Sequence, residues 1–199
     1  MEKIGIFGGT FNPIHNGHIN LAEKIGRDLN LDIIFIIPAS IPPHKAWMNI
    51  TDSKHRYEMC RLAVEGNPLF KVCDIELKRE GKSYTIDTLN EILNIYKNSK
   101  LHLIMGSDSF LSVIRWVNFD EIIKTAILCT AHRDLNESLR LHKMEQVLNA
   151  KGAETQICEV PIMPISSTKI RKNIYNGLKI EGMVPENVAD YIKRNTLFL

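Results

Sequence analysis

Short apolar runs alternate with amphipathic stretches along the whole chain. Lys3-Ile4-Gly5-Ile6-Phe7 ends at Gly8-Gly9 and predicts a buried strand. Ile33 to Ile37, stopped by Pro38, predicts a second, and Val72 to Leu77 a third. Leu101 to Met105, ending at Gly106, Ala126 to Thr130, and Thr155 to Val160 predict three more. Between the strands, Leu21, Ala22, Ile25 and Leu29 share one helical face and predict a helix starting after Gly17-His18. Tyr57, Cys60 and Val64 predict another, closed by Gly66-Asn67-Pro68, and Ile86, Leu89, Leu93 and Tyr96 a third. A polar-faced helix follows over Leu135 to Asn149. Two short helices end the chain, Ser166 to Asn176 and Pro185 to Lys193, the latter with proline in its first turn.

Strands that are apolar throughout, rather than alternating, and that are separated by helices indicate a parallel sheet covered on both faces. The expected fold is therefore α/β: a Rossmann-like doubly wound parallel sheet in one domain over residues 1–199, with a small C-terminal helical part from about residue 166. In such sheets ligands bind at the carboxyl ends of the strands, where Gly8-Gly9 and Gly106 fall.

Composition narrows the function classes. The 199 residues are 44% hydrophobic and 24% charged, ordinary for a globular chain, which excludes a disordered, collagen-like or coiled-coil protein. A net charge of +2 and 7% aromatic content argue against nucleic acid as a partner. The longest apolar run is far below the ~18 residues of a membrane span, and four residues between Lys3 and Gly8 are too few for a signal-peptide core. Cys60, Cys73, Cys129 and Cys158 form no Cys-x-x-Cys pair and read as reduced thiols. These features point to a cytoplasmic protein with no membrane partner; self-association into a homo-oligomer stays open.

Two segments carry chemistry. Gly8-Gly9-Thr10-Phe11-Asn12-Pro13-Ile14-His15-Asn16-Gly17-His18 joins a buried strand to a helix. Glycines let backbone N–H groups approach an anion, a helix start adds a positive dipole end, and two histidines three apart can donate to phosphate oxygens. The segment is neither a Walker loop nor a dinucleotide fingerprint. A plain turn with two surface histidines, or a zinc site, is the alternative, but no third ligand sits at suitable spacing. The second segment is Ile165-Ser166-Ser167-Thr168-Lys169-Ile170-Arg171. Its hydroxyls are ordinary helix N-caps; opposite a phosphate loop they and Arg171 would form the other wall of a triphosphate site.

Together these segments resemble the nucleotidylyltransferase superfamily, marked by a His-x-x-His-type turn and a late Ser-Ser/Thr-x-x-Arg motif. More narrowly, the chain resembles the bacterial nicotinate-nucleotide adenylyltransferases through Ile41-Pro42-Pro43-His44-Lys45, His55-Arg56-Tyr57-Glu58-Met59, Ser83-Tyr84-Thr85 with Asp87-Thr88-Leu89, Gly106-Ser107-Asp108-Ser109 with Trp116, and Val184-Pro185. It departs from the family in carrying Asn12 where aspartate is usual, and Arg133-Asp134 where Arg-Pro-Gly is usual.

The resemblance implies transfer of the adenylyl group of ATP to nicotinate mononucleotide, with Mg²⁺ carried on the ATP phosphates. It implies catalytic donors at His15, His18, Lys45 and Arg171. It implies ATP contacts at Gly8, Gly9, Thr10, Phe11, His18, Gly106, Ser107, Asp108, Ile165, Ser167, Thr168 and Arg171. For the mononucleotide it implies Thr10, Lys45, Tyr84, Thr85, Asp108, Trp116 and Arg133. Trp116 could equally be core, and Asp108 a helix N-cap. His102 and His142 read as solvated, and Lys78-Arg79 with Lys82 as a solvated charged turn. Phosphopantetheine adenylyltransferases, a nucleotide sensor and a nucleic-acid module are the rival readings.

Overall fold

The computed structural model describes residues 1–40, 50–132, 134–161 and 163–199. Six strands form one all-parallel sheet: β1 (Glu2–Gly9), β2 (Ile33–Pro38), β3 (Phe70–Val72), β4 (Ser99–Ile104), β5 (Ala126–His132) and β6 (Thr155–Glu159), in the order β3-β2-β1-β4-β5-β6. The direction of winding reverses between β1 and β4, which leaves a crevice at their carboxyl ends.

Both faces of the sheet are buried, and successive residues of β1 divide between two cores. Phe7, Ile34, Ile36, Ile104 and Cys129 pack against Ala22 and Ile25 of α1 (Asn16–Leu29), Met59 and Cys60 of α2 (Ser53–Ala63), Ile170 of α7 (Ser167–Tyr175), and Val188 and Ile192 of α8 (Glu186–Arg194). On the other face, Ile4, Ile6, Phe35, Leu103 and Leu128 meet α3 (Thr85–Ile95), α4 (Ser107–Ser112), α5 (Phe119–Thr125) and α6 (Leu135–Ala150). The doubly wound parallel sheet expected from the apolar strands is the fold observed. Among the described residues, no helix is long and apolar enough to cross a membrane.

Three local expectations are corrected. The first helix begins at Asn16, so Gly17 and His18 lie inside its first turn rather than before it. The third strand pairs over Phe70–Val72 only. The ladder from β3 to β2 ends with Cys73 N–H donating to Ile36 O at 2.9 Å, and the next donor along β2 would be residue 38, a proline without an N–H. Residues 73–77 therefore leave the sheet and turn, with Leu77 N–H bonded to Asp74 O. His102 is buried, 4% exposed on the central strand β4, with Nδ1 3.2 Å from Lys100 O, rather than solvated. Helices α4 and α5 are not evident in the pattern of apolar positions; both are short and follow the Gly106 turn.

Candidate active site

The start of α1 is organised by two histidines that cap each other. His15 is the N-cap, with extended φ and ψ of −149° and 167°. Its Nδ1 accepts from His18 N–H at 3.3 Å, while His18 Nδ1 accepts from His15 N–H at 3.3 Å. The arrangement is a capping box made with imidazoles in place of the usual hydroxyl and carboxylate. The rings stack with centroids 3.5 Å apart at 19°. A nitrogen that accepts carries no proton, so each ring bears its hydrogen on Nε2 as a directed donor. Burial lowers the His15 pKa to about 4, so this donor is neutral near pH 7. Gly17 leaves room for the stack: a Cβ there would lie a tight 3.2 Å from the His15 ring.

The turn before α1 is packed from beneath. Phe11 is buried with φ +46°, its ring lying against Gly9, where a Cβ would sit 2.9 Å from the ring, and edge-on to Phe7 and His18 at 5.5 and 5.2 Å. Its side chain thus serves packing, leaving the backbone to meet a ligand.

The C-terminal motif docks directly on this turn. Arg171 Nη1 donates to Asn12 O at 2.7 Å and Nη2 to Thr168 Oγ1 at 3.3 Å. Ser167 Oγ donates to Pro13 O at 2.8 Å, and Ser166 caps α7 by accepting from Lys169 N–H at 3.2 Å. Further along, Met183 O accepts from Asn16 N–H at 2.9 Å. The C-terminal part of the chain therefore builds one wall of the crevice.

The crevice is a cavity of about 740 Å³, within the usual size range for a ligand site. Every described residue of the expected site lines it: Gly8 to Phe11, His15, His18, Tyr84, Thr85, Gly106 to Asp108, Trp116, Ile165, Ser167, Thr168 and Arg171. Lys45 and Arg133 lie outside the described residues. Opposite the histidines, Tyr84 is the N-cap of α3 with no side-chain capping bond, so the helix start offers its backbone donors. Trp116 is half-buried at the end of a single 3-10 turn, with its backbone N–H on Val113 O at 2.9 Å. Gly106, not Asp108, is the N-cap of α4; Asp108 lies in the first turn, exposed at the cavity.

A family model described as cytidylyltransferase-like matches residues 6–173. A probable nicotinate-nucleotide adenylyltransferase of Thermoanaerobacter sp. is 39% identical over 198 residues, covering 98% of this chain and 94% of that protein. The chain belongs to the nicotinate-nucleotide adenylyltransferase family. A probable member from Dictyoglomus thermophilum is also 39% identical, over 99% of this chain and 100% of its own length. The solved Plasmodium falciparum nicotinic acid mononucleotide adenylyltransferase complexed with NaAD shares the fold, with a TM-score of 0.79 at 18% identity over 100% of this chain and 98% of that one.

Two charged residues of this adenylyltransferase family member stand at the cavity or its supports without a role in the sequence reading. Glu76 lines the cavity at 6% exposure, and Thr88 Oγ1 donates to its Oε1 at 2.8 Å. Burial pushes its carboxyl above the ordinary glutamate range. The shortened β3 is what delivers it: in a continuing strand, residue 76 would have stayed in the sheet. Arg56 is the second, 1% exposed on α2. Arg79 is half-buried on Glu91 and Thr88, so the charged turn is only partly solvated. Among the described residues, no three His, Cys, Asp or Glu side chains gather as a metal site.

Proposed function

We propose that the chain transfers the adenylyl group of ATP to nicotinate mononucleotide, forming nicotinate adenine dinucleotide and pyrophosphate. The observation that carries this reading is the seating of Ser167 and Arg171 on the Asn12-Pro13 turn, inside one cavity whose far side holds the α3 start and Trp116. The cavity thus has a phosphate-binding wall and an aromatic, amide-lined wall. Full-length similarity to proteins named for this reaction supports it.

A phosphate oxygen of the mononucleotide attacks the α-phosphorus of ATP in line. The new P–O bond forms as the bond to the β-bridging oxygen breaks, and that electron pair leaves with pyrophosphate. A phosphate monoester has a second pKa of about 6, so the nucleophile is mostly dianionic at pH 7 and no side chain has to remove a proton. The protein's task is alignment and donation to developing charge. His15 and His18 present Nε2–H donors to the reacting phosphate, with the Gly8 to Phe11 backbone beside them. Ser167, Thr168 and Arg171 take the outer phosphates. Asp108 receives ribose hydroxyls, next to Gly106, Ser107 and Ile165. The α3 start at Tyr84 and Thr85 holds the nicotinate carboxylate, and Trp116 stacks on the ring. Lys45 and Arg133, which stand in segments resembling the family's, supply further cations. The cavity's donor set of imidazole, guanidinium and hydroxyl suits phosphate oxygens, and Mg²⁺ arriving on ATP would take its ligands from those oxygens and water, neutralising charge.

The test is pyrophosphate release with ATP-Mg²⁺ and each of nicotinate mononucleotide, nicotinamide mononucleotide and phosphopantetheine. Release with nicotinate mononucleotide is expected. Release only with phosphopantetheine, or none with any acceptor, would overturn the reading.

A further inference from the structure

Arg56 is among the largest fully buried side chains of the protein, and its hydrogen bonds go to three backbone carbonyls of three separate segments. Nε donates to Thr51 O at 2.9 Å, Nη1 to Thr10 O at 2.9 Å and Nη2 to Ser40 O at 3.2 Å. Thr10 belongs to the turn after β1, Ser40 follows β2, and Thr51 precedes α2. A buried guanidinium held by neutral carbonyls carries a desolvation cost that an apolar side chain would not. That cost is consistent with its depressed pKa, whose largest cause is burial. The neighbouring Asp52 and Glu76 offset part of that cost, but packing alone gives no reason for the charge.

The geometry of the turn supplies a reason. A trans peptide group is planar, with its C=O and the following N–H pointing in opposite directions. With Thr10 O held by Arg56, the Phe11 N–H of the same peptide points away from the Arg56 guanidinium. Phe11 takes a left-handed φ of +46°, a conformation that needs external support in a non-glycine residue. Two further carbonyls of the turn are bound, Asn12 O by Arg171 and Pro13 O by Ser167. A parallel tie runs from Thr51 N–H to Asn12 Oδ1 at 3.3 Å. Beyond Ser40, its N–H donates to Ser83 Oγ at 3.1 Å, the residue before the α3 start at Tyr84. Arg56 therefore touches the phosphate turn on one side and, through Ser40, the opposite wall of the cavity.

We infer that Arg56 is a positioning residue for adenylyl transfer: it orients the Thr10-Phe11 peptide so that its N–H is presented to the phosphates. This rests on the adenylyltransferase reading above. Misplacement of a donor by about 1 Å can cost on the order of 10²-fold in rate. The experiment compares the parent with Arg56→Lys and Arg56→Met by far-UV circular dichroism and by separate kcat and KM values for ATP and nicotinate mononucleotide. An inactive, folded parent would overturn the adenylyltransferase reading itself. With an active parent, the expected result is folded variants whose kcat falls roughly 10–100-fold with both KM values within about threefold, and Arg56→Lys less impaired than Arg56→Met. Folded variants with kcat within about twofold of the parent would overturn the positioning role, because a purely structural role lowers stability and leaves turnover intact. If neither variant folds, the Phe11 amide of the parent is followed by ¹H–¹⁵N NMR during titration with a non-hydrolysable ATP analogue and Mg²⁺. A shift of the Phe11 amide that saturates with the analogue would then support the inference, and a Phe11 amide unaffected at saturation would overturn it.

Discussion

The Arg171 guanidinium donates to the Asn12 carbonyl at 2.7 Å, joining residues 159 positions apart across the phosphate turn. Arg171 is thus committed to the protein through Nη1 and Nη2 while it lines the cavity. It ties α7 to the turn, and in the proposed reaction it is also the cation that meets the ATP phosphates. Arg171→Ala should raise KM for ATP more than KM for the mononucleotide, by a charge-assisted contact worth about 1.5–3 kcal/mol. Arg171→Lys should recover only part of this, since one ammonium lacks the planar fork that serves carbonyl and phosphate together. Steady-state kinetics in both substrates checks it; equal effects on both KM values would contradict the assignment to the ATP side.

His18→Ala should lower kcat by roughly 10²–10³, the range for removing one transition-state donor, with little loss of fold. The fold survives because His15 remains as N-cap and the helix keeps the bond from Ile19 N–H to His15 O. Near-normal turnover in a folded His18→Ala protein would remove His18 from the reaction.

The depressed pKa of His15 makes stability pH-dependent with a definite sign. The native ring binds its proton only near pH 4, whereas the unfolded ring binds one near 6.5. Above pH 6.5 neither state is protonated and the neutral cap is held at no cost. As pH falls from 6.5 towards 4, the unfolded state gains protons first and the fold loses stability, by about 2 kcal/mol at pH 5 for a group shifted this far. Glu76, whose raised pKa acts in the opposite sense, cancels in a difference between parent and variant. Urea unfolding at pH 7.5 and pH 5 should show a smaller loss for His15→Asn, which keeps a capping acceptor that does not titrate. Parallel losses in the two proteins would show that His15 is not the source.

Nicotinate mononucleotide should be strongly preferred over nicotinamide mononucleotide. An uncapped helix start at Tyr84 and Thr85 favours an anion by charge and dipole, whereas a carboxamide would turn N–H donors toward N–H donors. Trp116 offers stacking area to both rings, so Trp116→Ala should weaken both alike. A kcat/KM ratio within about tenfold, only ~1.4 kcal/mol, would mean that no carboxylate pocket is present.

Much of this protein is written in local pattern. The apolar runs from Ile4 to Phe7 and Ile33 to Ile37 determined buried parallel strands, because a strand covered on both faces needs no polar alternation. Gly8-Gly9 and Gly106 marked the strand ends where the cavity opens, and the hydroxyls before Lys169 marked a capped helix. Such features depend on neighbours a few positions away. Tertiary structure alone decided the rest. Arg56 sits in an ordinary amphipathic stretch, and its burial follows from carbonyls of Thr10, Ser40 and Thr51 converging on one point. Glu76 reads as part of a strand until Pro38, on the neighbouring strand, withholds the next ladder bond. His15 is not among the usual capping residues, and its capping role appears only once the His18 ring lies stacked 3.5 Å away. A polar or charged group can be buried only where distant segments bring its hydrogen-bond partners together, and periodicity along the chain carries no record of that meeting.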